Sequence, residues 1–187
     1  MEIPAQFITD CIQRLRYYKI LGDKSFEQLN ETQMLHQVNE ESNSIAIIIQ
    51  HLHGNMISRF TGFLTTDGEK EWRNRDAEFN MVNISKPELV QLWNEGFETV
   101  FTALSDLQPA DLVRQITIRS ERLFVYDAIL RQLAHYPYHV GQIVFIAKML
   151  QGPAWQTLSI AKGKSKQFET EVRSGDMKSG MGNAKIN

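Results

Sequence analysis

The sequence predicts an all-α protein built as a four-helix bundle, and three observations carry that prediction. Apolar residues recur at helical spacing along four long segments. Cap residues or Gly/Pro punctuation stand at the ends of those segments. Strand-like alternation is confined to Ile116-Thr117-Ile118, which suits a short extended or hairpin piece. Amphipathic helices of about 18 to 25 residues bury their apolar stripes most economically against one another, as a bundle.

The first segment runs from Ile3 to about Leu21, with Ile3, Phe7, Ile8, Cys11, Ile12, Leu15 and Tyr18 on one face and Gly22-Asp23 as the expected stop. Lys24 to Val38 is mixed, with room for a short turn of helix. Ser42-Asn43-Ser44 offers capping oxygens to a second helix, whose stripe runs Ile45, Ile48, Ile49, Leu52, Met56, Phe60, Phe63 before Thr65-Thr66-Asp67-Gly68 ends it. A polar connection spans Glu69 to Ile84. Ser85-Lys86-Pro87-Glu88 is a helix start. Ser85 caps, Glu88 completes a capping box, and Pro87 stands where its missing N–H does no harm. Leu89, Leu92, Trp93, Phe97, Val100, Phe101 and Leu104 follow at helical spacing. The fourth helix is expected from about Tyr126 to Leu150, with Gly152-Pro153 as its terminator. Pro137 falls inside it, where it should kink the helix or weaken it.

The chain has 187 residues, 42% hydrophobic and 22% charged, which suits one soluble domain with a full core. The expected division is a bundle over residues 1–160 and a polar, flexible tail over 161–187. From Lys162 onward there are six basic and three acidic residues, against 14 and 19 in the rest, so the body carries −5. An acidic body gives no reason to expect nucleic acid as a partner. A single cysteine, Cys11, excludes an intrachain disulfide and reads as a small buried hydrophobe. Met1-Glu2-Ile3-Pro4 is unlike a signal peptide, and the longest apolar run is too short to span a membrane. A cytoplasmic location is the expectation.

Chemistry is concentrated in His135-Tyr136-Pro137-Tyr138-His139-Val140-Gly141-Gln142. Two imidazoles four residues apart share one helix face and can hold one transition metal. A catalytic site needs a third ligand. His36 lies in a weakly patterned segment. His51 and His53 lie about 200° apart around the second helix, so both cannot face one metal. Their phases leave the choice open: His53 is roughly 70° from the centre of the apolar stripe and His51 roughly 130° on the other side, but Asn55 and Arg59 give the His51 flank a polar character. No glutamate lies between His135 and His139, so the metalloprotease pattern is absent.

Taken together, His51-Leu52-His53-Gly54-Asn55-Met56, Phe63-Leu64-Thr65-Thr66-Asp67-Gly68-Glu69-Lys70, Arg73-Asn74-Arg75-Asp76-Ala77-Glu78-Phe79 and the His-x-x-x-His-x-Gly-Gln of residues 135–142 resemble the DinB/YfiT-like superfamily, and most closely a branch labelled a domain of unknown function. The resemblance covers roughly residues 5 to 160. It implies a four-helix bundle of up-down-down-up topology and a metal triad of His51, His135 and His139. It also implies a divalent cation with an open position: zinc or nickel first, manganese or iron next. Relatives in this superfamily include bacillithiol and mycothiol S-transferases and a thiol-dependent maleylpyruvate isomerase. The resemblance therefore implies a thiol-dependent, S-transferase-like enzyme acting on a small molecule with a low-molecular-weight thiol, and a homodimer whose surface the sequence does not locate. Competing classes are a non-catalytic, metal-stabilised, stress-related homodimeric interaction protein and a metal-dependent hydrolase.

Among supporting residues, Asn55 could hydrogen-bond a ligand of the metal, Gln142 could hold a histidine N–H, and Arg59, Arg73 and Arg75 could bind the carboxylates of a thiol cofactor. For the arginines the competing role is local pairing with Asp67, Asp76 or Glu78. Trp72, Trp93 and Trp155 read as packing residues.

Overall fold

Capping chemistry sets the helix starts in the computed structural model, which describes residues 3–80 and 83–175. Helix α1 covers Ile3–Glu27 and a short α2 covers Glu31–Leu35. In α2 the Asn30 side chain accepts from Gln33 N while the Gln33 side chain accepts from Asn30 N, a capping box. Helix α3, Ile45–Phe60, begins on Ser44, whose hydroxyl accepts from Ile47 N at 3.2 Å. Helix α4, Lys86–Ser105, begins on the reciprocal Ser85 and Glu88 pair read from the sequence. A two-stranded antiparallel hairpin, β1 Gln115–Ile118 and β2 Glu121–Phe124, leads into α5, Val125–Gln151, which Gly152 ends. Pro137 lies within α5 without interrupting it. A last helix, α6, covers Ser165–Ser174 and buries no residue. The rest of the expected tail, residues 176–187, lies outside the described residues. No helix among the described residues is long and apolar enough to cross a membrane.

The directions of the four long helices follow from contacts between them. Arg16 sits over the Phe101 ring at 5.3 Å and Gly22 faces Trp93, so α1 and α4 are antiparallel. His53 meets Glu95 at 3.2 Å, and Phe60 lines one groove with Thr102 and Asp106, so α3 and α4 run the same way. The His51 ring meets His139, whereas Asn55, one turn later, meets Tyr136, so α5 opposes α3. The result is up-down-down-up, with α1 packed on α4 and α5, and α3 packed on the same two. Leu89, Trp93, Phe97 and Val100 from α4 and Tyr136, Val140 and Ile143 from α5 fill the centre, each 0–1% exposed. Burying such a side chain contributes about 1.5–3 kcal/mol, so the core outweighs any single cap.

Two elements differ from the sequence reading. Helix α1 does not stop at Gly22-Asp23. It continues because both residues serve the packing: a Cβ on Gly22 would lie 2.3 Å from the Trp93 ring, and Trp93 Nε1 donates to Asp23 Oδ1 at 2.8 Å. Helix α3 ends at Phe60 rather than Phe63, and Gly62 turns the chain at φ 61°.

The hairpin turn is made by Arg119 and Ser120, both at positive φ (56° and 62°), which costs energy for residues other than glycine. Asp67 offsets that cost. Its carboxylate accepts the backbone N–H of Arg119 and of Ser120, each at 2.8 Å, and that of Glu69 at 2.7 Å. The backbone bonds from Glu69, Ser120 and Arg119 pull its carboxyl down to about 2. A depressed carboxyl stabilises the fold above its unfolded value near 4 and loses that contribution as pH falls toward the folded value. Asp67→Asn is therefore expected to cost about 1–2 kcal/mol at neutral pH. The gap in thermal midpoint from the parent protein should close between about pH 4 and pH 2. Thermal unfolding of both proteins across that range checks it, and a gap independent of pH contradicts it.

Candidate metal centre

Helix α5 places His135 and His139 one turn apart, and α3 brings His51 to face them. His135 Nε2 is 3.3 Å from His51 Nε2 and 3.1 Å from His139 Nε2, and one ligand atom from each residue lies within 4.8 Å of the others. His51 and His139 are buried and His135 is half-buried, so the cluster sits at the edge of the core with one side toward solvent.

Tautomers follow from what the outer nitrogens touch. His51 Nδ1 lies 2.9 Å from Glu78 Oε2. His139 Nδ1 lies 2.8 Å from Gln142 Oε1, and the other end of that amide donates to the Tyr138 hydroxyl at 3.1 Å. A carboxylate and an amide oxygen accept only, so both Nδ1 atoms carry the proton and both Nε2 lone pairs point inward. His135 can supply one N–H between them at most. Burial, then the neighbouring imidazoles of His139 and His51, push His135 down to about 3, and burial also lowers His139. Both are therefore neutral imidazoles near pH 7, the form that binds a metal.

Those distances fit a cation. Tetrahedral zinc with Zn–N bonds of about 2.0–2.1 Å holds its nitrogens about 3.3 Å apart. The observed 3.1 and 3.3 Å separations match that spacing. Three converging His, two buried and one half-buried, could thus hold a metal ion.

The second side of His51 is built by the connection between α3 and α4. A 3-10 turn over Asp76–Phe79, fixed by Asn74 Oδ1 accepting from Ala77 N and by Gln50 Nε2 donating to Ala77 O, delivers Glu78 and Phe79 together. Phe79 lies against the His51 ring at 4.7 Å, and Arg75 covers Phe79 at 5.3 Å. Glu78 is 7% exposed and accepts from Arg73 Nε at 2.7 Å and Arg73 Nη2 at 3.0 Å. Burial pushes the Glu78 carboxyl up, but the bonds from His51 and Arg73 outweigh it and hold it below its usual range. Gly54, on α3 one turn from His51, leaves the space: a Cβ there would lie 2.3 Å from Glu78 Oε1. Arg73 continues to Glu69 at 3.6 Å, and Glu69 meets Arg59 at 3.0 Å and Arg119 at 2.8 Å. A line of alternating charges thus runs from His51 to the hairpin.

The other sequence candidates fall as follows. Asn55 is buried and accepts from the Tyr136 hydroxyl at 3.1 Å. Arg59 donates to the Gly68 carbonyl and to Glu69. Arg73, its side chain 1% exposed, is turned to Glu78, and Arg75 lies on Phe79. His53, which helical phase alone would bury, is turned to Glu95 outside the cluster, and His36 is an exposed C-cap of α2. Cys11 belongs to the core, where burial raises its thiol to about 11. Trp93 is a core residue and Trp155 packs against the core, while Trp72 is 60% exposed. Glu78 as a partner of His51, and Phe79 against its ring, were not found from the sequence. Gly54, three residues after His51 in an otherwise good helix, was the one available sign of a close neighbour there.

Residues 2–164 match a family described as protein of unknown function (DUF1572). No curated protein and no solved structure matches the chain.

Proposed function

The chain belongs to the DUF1572 family of unknown function, and from that premise we propose that it is a three-histidine divalent-metal protein that activates a small thiol for transfer to an electrophile. One observation carries the metal reading: the Nε2 lone pairs of His51 and His139 converge on His135 because Glu78 and Gln142 hold their outer nitrogens. The openness of the site favours catalysis over a purely structural metal. Structural zinc is enclosed by four protein ligands. Here three side chains converge and His135 is only half-buried. A divalent cation held there would supply Lewis acidity that favours the deprotonated form of a thiol or water beside it.

The protein's own residues orient and exclude. Glu78 and Gln142 set the tautomers, and Phe79 limits the tilt of the His51 ring. Among the described residues Glu78 is the one carboxylate hydrogen-bonded to the triad, and it is committed to Arg73 and His51, so it is not a free base. That leaves activation to the cation and favours an acidic nucleophile such as a thiol over water. The resemblance of the His51, His135 and His139 segments to DinB/YfiT-like thiol transferases supports the same choice, with zinc or nickel ahead of manganese or iron.

Two measurements test this. Protein made without a histidine tag should take up one zinc or nickel ion per chain, and His139→Ala should lose tight uptake. At a hundredfold excess of zinc over its dissociation constant the fold should gain about 2.7 kcal/mol in urea unfolding. Metal-loaded protein should then speed conjugation of monochlorobimane to one member of a panel of low-molecular-weight thiols, and chelation should remove the rate. Failure of uptake with all three histidines intact rejects the metal centre. Uptake without a metal-dependent rate for any thiol rejects the transferase reading and leaves the centre standing.

A further inference from the structure

A groove of about 610 Å³ lies where the parallel helices α3 and α4 end, between one flank of α4 and the chain that follows α3. A volume of that size lies within the range of small-molecule sites. Its floor is apolar. Phe60, Phe63 and Leu107 line it and are themselves buried, and the two phenylalanine rings lie 4.9 Å apart with their planes 35° from parallel. The groove shares no lining residue with the histidine cluster.

Its rim is acidic. Glu95, Glu98 and Asp106 stand on it, and no basic residue is among those that line it. At about 100° and 1.5 Å per residue, the three fall within a band about 80° wide and about 16 Å long on α4. Glu95 meets His53 at 3.2 Å. Glu98 and Asp106 are exposed, and neither carboxylate has a hydrogen bond or ion pair among the described residues.

The fold adds to this charge rather than offsetting it. Asp106 is the C-cap of α4, whose last turn carries no basic residue. A carboxylate there is repelled by the negative end of the helix dipole. Helix α3 brings its own C-terminal end to the same groove. Arg59, the base of its last turn, is turned instead to the Gly68 carbonyl and Glu69. The negative charge at the groove therefore has no counterpart among the residues that line it.

We infer that this groove binds a small organic cation with an aromatic or branched apolar body. The positive charge sits among Glu95, Glu98 and Asp106, and the body lies over Phe60, Phe63 and Leu107. Phenylalanine rings attract cations as well as apolar surface, so the floor and the rim favour the same ligand. An exposed ion pair alone is weak, and an apolar floor alone does not choose a sign. Selectivity comes from the two together. The inference is independent of whether the histidines hold a metal.

Calorimetric titration of the full chain in sodium buffer with chelator tests it, so that the metal centre takes no part. Tetraphenylphosphonium should bind about tenfold or more tightly than tetraphenylborate, which has the same shape and the opposite charge. Tetramethylammonium, which has the charge without the body, should bind more weakly by a similar factor. Glu98→Gln combined with Asp106→Asn should weaken tetraphenylphosphonium about tenfold. Without ligand the same variant should unfold at a higher temperature than the parent, because the repulsion at the end of α4 is relieved. Thr102→Lys, at an exposed position lining the groove between those two carboxylates, should weaken the phosphonium and strengthen the borate. Asp127→Asn, an exposed carboxylate on α5 outside the groove, should change neither. Absence of binding, equal affinity for the two tetraphenyl ions, or tetramethylammonium binding as tightly as the phosphonium overturns the inference. So does a double variant that binds like the parent or unfolds at a lower temperature, since the carboxylates would then serve the fold.

Discussion

Replacing Glu78 by glutamine is expected to lower zinc affinity about ten- to a hundredfold and to destabilise the metal-free fold by about 3 kcal/mol. The two losses have different origins. In Glu78→Gln the amide oxygen can still accept from His51 Nδ1, so the ring stays in place, but a neutral amide no longer sets a negative charge behind the ring that would face the cation's positive charge. The stability loss falls on Arg73. Its side chain is 1% exposed and makes two bonds to Glu78, and Glu69 is a more distant partner at 3.6 Å. Breaking a buried pair by neutralising one member leaves the other charge in a low dielectric, which costs far more than a surface pair contributes. Chelator-competition titration measures the first effect and urea unfolding in chelator the second. Glu71→Gln, at an exposed glutamate of the same connection, should change neither. An unchanged zinc affinity would show that the charge of Glu78, as distinct from its hydrogen bond, does not strengthen His51 as a ligand.

The Glu78 pairing also shows where the sequence stops being legible. The His135 and His139 pair could be read because helical spacing alone places them together. His51 could not be separated from His53 by phase, because phase assumes one buried stripe per helix. Helix α3 is buried on most of its circumference: α4 and α5 cover two sides, and the connection carrying Glu78 and Phe79 covers the flank that holds His51. Nothing local in that connection says that it folds back. Glu69, Glu71, Asp76 and Glu78 look alike in a polar segment, and only the fold separates the buried Glu78 from the exposed Glu71. The hairpin turn was obscure for a similar reason. Arg119 and Ser120 lack the Asn-Gly chemistry that usually marks such a turn, and its support comes from Asp67, distant in the chain. The capping box at Ser85 and Glu88, by contrast, is complete within four residues and was readable for that reason.

Gly22→Ala is expected to destabilise the protein by about 2 kcal/mol, although alanine is the better helix former by about 1 kcal/mol. The sign depends on whether the neighbour can move. An alanine Cβ at this position would lie 2.3 Å from Cζ2 and 2.8 Å from Cη2 of Trp93. Trp93 is 1% exposed, packed edge-to-face on Phe26 at 5.1 Å and against Phe97 at 4.6 Å, and its Nε1 is tied to Asp23. A rigid indole held on three sides cannot retreat as a flexible side chain would. Helix α1 must therefore shift off α4, opening the contact that continues through Arg16 and Phe101. The same closeness explains why a glycine followed by an aspartate does not end α1: the helix is held through Gly22 by the ring that the glycine admits. Trp93→Phe should relieve the clash, because the atoms nearest Gly22 belong to the six-membered part of the indole that phenylalanine does not reach. In a double-mutant cycle by urea unfolding, Gly22→Ala should cost the Trp93→Phe protein little or nothing, or stabilise it. Equal costs in the two backgrounds would mean that the glycine is needed for something other than the approach of Trp93.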